Sequence, residues 1–221
     1  MDDTLWAFSL NARDTYEEMY WKYGYDRYFD SFEHYYSLYQ RRNLDLWAEY
    51  ADGKVTKEEL NRQRYLYPLE AVGAGDSTLA KAYERDALAM IPTKSKLMPH
   101  AREVLEYLSG KYNLYILSNG FKELQSHKMR SSGIDEYFKK VVLSDDIGIL
   151  KPWPEIFHFA LSTTQSELNN SLMIGDSWEN DIVGAAGVGM HQVFYNLSGR
   201  TDLPFAPTYQ ITDLKDLFNF L

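Results

Sequence analysis

The sequence predicts an α/β fold in which a Rossmann-like parallel sheet forms the core and an all-helical cap is inserted into it. Between residues 113 and 195, short apolar runs alternate with amphipathic segments, which is typical of a parallel sheet with helices on both faces. Between residues 12 and 91, long polar and aromatic segments show no strand-like alternation. We therefore predict a core of residues 1–11 and 92–221 and a helical cap of residues 12–91.

Helix start and stop signals support both regions. In the cap, Thr56 and Glu59 have the spacing of a capping box, and Asp76 offers a second N-cap. In the core, Pro99 begins a predicted helix that ends near Gly110. The apolar runs and the helices between them then follow in order: strands at 114–117, 141–143, 172–174 and 192–195, and helices at 121–131, 154–162 and 180–187.

Composition limits the classes of partner. The 221-residue chain has a net charge of −9, which disfavours nucleic acid polymers and anionic membranes but leaves room for a small phosphorylated metabolite. The chain has no Cys, so disulfides and thiolate chemistry are excluded. No signal peptide pattern and no apolar run of about 18 residues is present, and we expect a cytoplasmic protein. Its oligomeric state cannot be read from the sequence.

Polar residues follow the first two predicted strands. Ser118, Asn119 and Gly120 come directly after the run at 114–117, and Lys151 lies in the loop that follows the run at 141–143. Ligands of an open α/β sheet bind beyond the carboxyl ends of its strands. The Ser118 hydroxyl and the backbone N–H groups of Asn119 and Gly120 can hold phosphate oxygens, and Lys151 can offset their charge.

Two acidic residues follow the next strand. Asp176 comes directly after the run at 172–174, and Asp181 lies five residues further on. Carboxylates are the hard oxygen ligands that Mg²⁺ prefers. A Ser, a Lys-Pro or a Gly-Asp-Ser alone also fits an ordinary turn. Their ordered appearance after separate strands favours one shared site.

These residues resemble the motifs of the haloacid dehalogenase superfamily of phosphohydrolases. That family has an Asp-x-Asp-x-Thr loop, a strand-end Ser or Thr, a Lys, and Gly-Asp-Ser followed by a second acid. The matching residues here are Asp2, Asp3, Thr4, Ser118, Lys151, Asp176 and Asp181. Within the superfamily, residues 118–125 and 146–152 are most similar to the bacterial pyrimidine 5′-nucleotidases.

The resemblance implies a division of roles. Asp2, Thr4 and Lys151 would be catalytic, with Asp2 as general acid and base. Mg²⁺ would be held by the nucleophilic Asp, the backbone carbonyl of Asp2 and the carboxylate of Asp176, with Asp181 bound directly or one shell out. Since Asp2 must carry a proton in the first half-reaction, we expect its surroundings to raise its pKa.

The alignment on Asp2 and Thr4 puts the family's nucleophile one residue before Met1. The apolar strand that delivers it, which lies in the middle of the family's sheet, would also precede Met1. We therefore expect this chain to be inactive as it stands. A start placed too late and a natural non-catalytic binding protein both account for this, and we favour the first.

The expected function is Mg²⁺-dependent hydrolysis of a phosphomonoester through an aspartyl-phosphate, with a nucleoside monophosphate as substrate. A sugar-phosphate or phosphoglycolate phosphatase of the same fold and a non-catalytic ligand-binding protein are the alternatives. The resemblance implies a cap of the C1 type that closes over the site. Aromatic residues concentrate in this cap, where they either pack between its helices or stack on a base: Tyr16, Tyr20, Trp21, Tyr23, Tyr25, Tyr28, Phe29, Phe32, Tyr35, Tyr36 and Tyr39.

Overall fold

The computed structural model describes all residues from Met1 to Leu221. The chain divides into two compact units. Met1–Phe8 and Ser95–Leu221 form the first, which we call the α/β unit, and Ser9–Lys94 form the second, which we call the helical unit. No helix combines the length and the hydropathy that crossing a bilayer requires.

Four helices build the helical unit, as the sequence predicts. They are α1 (Phe8–Lys22), α2 (Phe32–Ala51), α3 (Lys57–Ala71) and α4 (Ser77–Met90). The two predicted N-caps are confirmed. Thr56 Oγ accepts a hydrogen bond from Glu59 N at 3.1 Å, and the Asp76 carboxylate accepts from the backbone N–H groups that open α4. Each side chain thereby satisfies a donor that has no partner within its helix.

The α/β unit contains five strands and four α-helices. In chain order they are α5 (Ala101–Ser109), β1 (Leu114–Ser118), α6 (Lys122–Ser131), β2 (Phe138–Leu143), α7 (Pro154–Thr164), β3 (Leu172–Gly175), α8 (Gly184–Gly187), β4 (His191–Tyr195) and β5 (Tyr209–Ile211). The four predicted strands are confirmed, and β5 is an addition. A π-helical turn, Trp178–Val183, precedes α8 where the sequence predicts one regular helix.

The strands form two parallel sheets. In one, β1 pairs with β2, so that Ser118 lies beside Leu143 at their carboxyl ends. In the other the order is β3-β4-β5, and Gly175 lies beside Phe194. No ladder joins β1 to β3. The predicted parallel α/β architecture is confirmed. Each of β1 and β3 pairs with another strand along one edge only.

The apolar core lies on both sides of these sheets. On one side, Val104 and Leu108 of α5 pack with Val193 of β4 and Leu217 near the end of the chain. On the other side a second cluster is formed by Ile156, Phe157, Ala185 and Met190. β4 is buried over residues 192–195, whereas residues 172–174 of β3 are half-buried. The contrast fits the position of each strand, since β4 has a neighbour on both sides and β3 on one.

Candidate active site

Polar side chains converge at the carboxyl ends of β1 and β3. Parallel strands carry the residues that follow them to the same edge of a sheet, and apolar packing holds the strands there. The side chains for which the sequence predicts a catalytic, phosphate or metal role lie at this edge or contact a residue that does, except that Asp2 is linked to Ser118 through Gln125: Asp2, Thr4, Ser118, Asn119, Lys151, Asp176 and Asp181.

Ser118 is the last residue of β1 and is buried. Its hydroxyl oxygen accepts a hydrogen bond from the backbone N–H of Gly120 at 3.1 Å and another from the Gln125 side chain at 3.1 Å. A Cβ at 120 would lie 1.8 Å from the Gln125 amide nitrogen, so a larger residue there would displace the Gln125 side chain. The Gly120 N–H, predicted to bind phosphate, thus donates to Ser118 in this structure.

Asn119 fixes the backbone of Lys151. Its amide nitrogen donates to the Lys151 carbonyl at 2.9 Å, and its amide oxygen accepts from the Lys151 N–H at 2.8 Å. Such a two-way amide pairing sets the position of the lysine loop against the end of β1. The sequence predicts a role for Asn119 through its backbone N–H alone, so this side-chain role is a finding of the structure.

Lys151 is a buried cation with two partners. Its ammonium donates to the carbonyl of Leu117 at 2.9 Å and to the carboxylate of Asp181 at 2.5 Å. The side chains of the ion pair are 7% and 6% exposed. A charge this deeply buried is tolerated when it is paired and hydrogen-bonded.

The π-helical turn brings Asp181 back towards the end of β3. The carbonyl of Ser177 accepts hydrogen bonds from the N–H groups of both Asp181 and Ile182, which widens the turn. One Asp181 oxygen then accepts from the Ser177 N–H at 3.1 Å. A Cβ at Gly175 would lie 2.1 Å from this carboxylate, so only glycine permits the approach.

Asp176 faces Thr4. The Thr4 hydroxyl donates to one Asp176 oxygen at 2.6 Å, which links the first segment of the chain to the end of β3. Burial raises the pKa of Asp176, the hydrogen bond from Thr4 and the charge of the Met1 amino group oppose this, and the nearby charge of Asp181 adds to the increase. The two acids therefore repel one another when both are ionised.

Asp2 is held by two side chains of α6. Its carboxylate accepts from Lys128 at 2.9 and 3.1 Å and from the Gln125 amide at 2.8 Å. Burial favours the protonated form, but the Lys128 charge, the charge of the Met1 amino group and these hydrogen bonds outweigh it and lower the pKa of Asp2. The expectation that its surroundings raise this pKa is wrong for this structure, because the sequence gave no sign of a cation beside Asp2.

Gln125 and Lys128 are functional candidates that the sequence motifs do not indicate. Residues three apart on a helix share one face, and both of these side chains are buried on α6. The amino-acid composition of α6 is the signal that could identify them. Leu124 and Met129 are the apolar residues of this helix, too few to cover a face packed on the core, so polar side chains must be buried with them.

The α-amino group of Met1 lies among the same charged groups. Burial lowers its pKa, the positive charge of Lys151 lowers it further, and the charges of Asp2, Asp181 and Asp176 act in the opposite direction. The Met1 amino group is therefore close enough to Lys151 and these acids for their charges to influence its pKa.

The donor set is compatible with a divalent cation but does not form a complete metal site. Nowhere in the chain do three or more acidic or histidine residues come together closely enough to hold a metal ion. Asp176 and Asp181 supply two carboxylates whose mutual repulsion a cation would relieve. Both Asp181 oxygens already accept hydrogen bonds, from Lys151 and Ser177, so its predicted metal role remains a prediction.

The aromatic residues of the helical unit mostly pack on one another. Tyr16, for example, has its ring 4.6 Å from that of Tyr39, and their hydroxyls are 2.6 Å apart. Trp21 and Tyr28 remain exposed. These rings are buried in the unit: Tyr16, Tyr20, Tyr25, Phe29, Phe32, Tyr35, Tyr39, Tyr65 and Tyr83. Packing between helices therefore describes most of this cluster.

The chain is similar to a known protein family and to individual proteins of that kind. Residues 1–189 match the family model of the haloacid dehalogenase-like hydrolases. The pyrimidine 5′-nucleotidase YjjG of Escherichia coli is 30% identical over 185 residues, which are 83% of this chain and 80% of that protein. A glyceraldehyde 3-phosphate phosphatase of Pyrococcus abyssi is 38% identical over 99 residues, 44% of this chain and 42% of that protein.

A solved structure is similar over the whole chain. The putative hydrolase YfnB of Bacillus subtilis, bound to magnesium, superimposes with a TM-score of 0.89 at 25% identity, covering 100% of this chain and 95% of that one. In sequence, YfnB is 29% identical over 187 residues, 83% of this chain and 78% of that protein.

Proposed function

Because this chain belongs to the haloacid dehalogenase-like hydrolases, we propose that it forms the body of a Mg²⁺-dependent phosphomonoester hydrolase. The observation that carries the proposal is a series of contacts at the carboxyl ends of β1 and β3. Thr4 bonds to Asp176, Asp181 to Lys151, and Lys151 to the end of β1, where Ser118 is linked through Gln125 to Asp2. Two hydroxyls, an ammonium and three carboxylates are thus brought to the same edge of the α/β unit.

The proposed reaction has two half-reactions. An aspartate attacks phosphorus while the bond from phosphorus to the leaving oxygen breaks, and Asp2 gives that oxygen a proton. Water then hydrolyses the aspartyl-phosphate, with Asp2 as the base. Ser118 and Lys151 hold the phosphoryl oxygens, and bound Mg²⁺ supplies positive charge to them.

The nucleophile in this proposal is an aspartate joined to the amino side of Met1. Two observations support its place. The family motif requires the nucleophile two residues before Asp2, and the charges of Lys151, Asp176 and Asp181 act on the Met1 nitrogen. A strand that carries this aspartate would find edges outside the two ladders on β1 and β3.

The substrate we propose is a nucleoside 5′-monophosphate. Similarity to a pyrimidine 5′-nucleotidase over 83% of the chain favours it. A triose phosphate is the second candidate, because a glyceraldehyde 3-phosphate phosphatase is more identical, although over a shorter stretch.

The test compares three proteins: the 221-residue chain, a chain extended by an apolar strand that ends in Asp directly before Met1, and the same extension ending in Asn. Phosphate release is measured with UMP, CMP, dTMP and glyceraldehyde 3-phosphate, with Mg²⁺ or with EDTA. We expect release by the Asp extension alone, loss of release with EDTA, and preference for the nucleotides.

Single substitutions in the Asp extension separate roles from fold. Asp2→Asn should lower kcat by about 100-fold or more, in the range of general acid–base catalysis. Asp202→Asn, at an exposed carboxylate, is the matched control and should leave kcat unchanged. Absence of phosphate release from every extension would refute the enzyme and favour a binding protein, whereas preference for the triose phosphate would refute the nucleotidase.

A further inference from the structure

Lys128 is a second buried lysine at the polar edge, and the roles proposed above do not use it. It lies on α6, with its side chain 4% exposed, and its ammonium contacts both oxygens of Asp2. The Asp2 side chain is 28% exposed, so the carboxylate of this pair is half-buried while its cation is almost fully buried.

Aromatic faces fix the position of the ammonium. Lys128 Nζ lies 4.7 Å from the centre of the Trp6 ring and 5.1 Å from that of Phe8. A cation is attracted to the face of an aromatic ring, and more strongly where water is excluded. Asp2, Trp6 and Phe8 all belong to the first eight residues, so one lysine anchors this whole segment to α6.

Gln125 adds a link from Asp2 to Ser118. Its amide nitrogen donates to Asp2 at 2.8 Å and to the Ser118 hydroxyl at 3.1 Å, while its amide oxygen is buried without a hydrogen-bond partner. Leaving a buried acceptor unpaired costs free energy. The amide nevertheless keeps its donor between Asp2 and Ser118, which shows that these two acceptors set its orientation.

We propose that Lys128, together with Gln125, is a positioning residue that fixes the Asp2 carboxylate beside Ser118 for the reaction. This inference rests on the proposed function for its kinetic meaning. Its structural part does not depend on activity. It states that the Lys128 and Asp2 side chains stabilise the protein through their contact with each other. A lysine that only stabilises α6 would couple to neither the Asp2 side chain nor the chemical step.

The structural part is tested on the 221-residue chain by a double-mutant cycle. The free energy of unfolding is measured for Lys128→Met, Asp2→Asn and the double variant, with Lys139→Met, an exposed lysine, as control. We expect the double variant to be no less stable than Lys128→Met, because each substitution removes the same contact. Additive losses would overturn the proposal. If Lys128→Met does not fold, Lys128→Arg and Lys128→Gln replace it.

The kinetic content is tested in the Asp extension described above. Lys128→Met should lower kcat by about 10- to 100-fold with KM within about twofold, since a displaced catalytic group costs rate more than binding. Lys128→Arg should restore most of kcat, because it keeps a cation beside Asp2. An unchanged kcat, or a loss confined to KM, would refute the positioning role. If no extension releases phosphate, the proposed function fails while the unfolding cycle still decides whether Lys128 and Asp2 act together.

Discussion

The α/β unit and the helical unit bury polar groups in different ways. In the α/β unit, buried ammonium groups touch carboxylates, as in Lys151 with Asp181 and Lys128 with Asp2. In the helical unit, buried phenols touch one another, as in Tyr16 with Tyr39. Burial also raises the pKa of Tyr16, so its hydroxyl stays neutral.

This difference indicates which unit holds charged groups for a reaction and which holds neutral groups for packing. Burying two ions is expensive, and a well-packed apolar pair of the same size is often as stable or more so. Charged pairs that converge at strand ends therefore indicate a function that needs charge. Neutral phenols satisfy one another at lower cost and fill space between helices. We infer that the α/β unit carries the chemistry and that most of the tyrosines carry the packing.

The largest effect is expected at the buried ion pair. Lys151→Met leaves the Asp181 carboxylate buried without its cation and should lower the free energy of unfolding by about 3–5 kcal/mol. The double variant Lys151→Met with Asp181→Asn should recover part of this loss, because no unpaired charge remains. Denaturant unfolding of both variants measures the effect. A loss below about 1 kcal/mol would mean that solvent reaches Asp181 more freely than its 6% exposure implies.

The strand-end residues could be predicted because each follows an apolar run directly. Ser118 and Asp176 needed only the order of strands and the rule that parallel strands end at one edge. By contrast, β5 (Tyr209–Ile211) is three residues long and too short to show a periodic pattern. Gln125 and Lys128 could not be identified as partners of Asp2, because the contact joins residues more than 120 positions apart.

The helical unit was also predictable in part. Its helices and N-caps depend on local signals, such as Thr56 before Glu59, which the sequence shows directly. Whether a given tyrosine stacks on a partner or faces solvent depends on how the helices pack. Tyr25 is fully buried and Tyr28, one helical turn later, is exposed, although both belong to the same aromatic segment.

A moderate effect is expected within the tyrosine cluster. Tyr16→Phe removes the hydroxyl that lies 2.6 Å from that of Tyr39 and should cost about 1–2 kcal/mol, because a buried polar group loses its partner. Tyr25→Phe is the matched control. The Tyr25 hydroxyl is buried without a hydrogen-bond partner, so its removal should be neutral or stabilising. Equal losses at both positions, measured by chemical unfolding, would contradict the packing described for this unit.

A smaller effect is expected at Arg64, the buried cation of the helical unit. One of its terminal nitrogens donates to Asn61 at 2.5 Å, and its Nε is buried without a partner. Arg64→Met should change the free energy of unfolding by less than about 1 kcal/mol or stabilise the protein, since apolar residues often replace buried charges without loss. Comparison with Lys151→Met in one unfolding series tests whether a buried cation matters most where it forms an ion pair with a carboxylate.

The smallest effect depends on pH and separates two acids on α4. Burial raises the pKa of Glu84, whereas hydrogen bonds from Arg85, Lys22 and Tyr23 lower the pKa of Asp86. A raised folded-state pKa means that Glu84 destabilises the protein above that pKa and that the penalty disappears as pH falls towards the ordinary value of about 4.3.

The contribution of Asp86 to stability changes with pH in the opposite direction. Its lowered pKa contributes stability above the ordinary value of about 3.9, and this contribution is lost as pH falls below it. Glu84→Gln should therefore stabilise the protein at pH 7 more than at pH 4, and Asp86→Asn should destabilise it at pH 7 more than at pH 3. Thermal unfolding of the two variants across this range measures both slopes. Glu84 and Asp86 lie within one turn of the same helix. If the change in unfolding stability with pH had the same sign for both variants, their local partners would not control their ionisation.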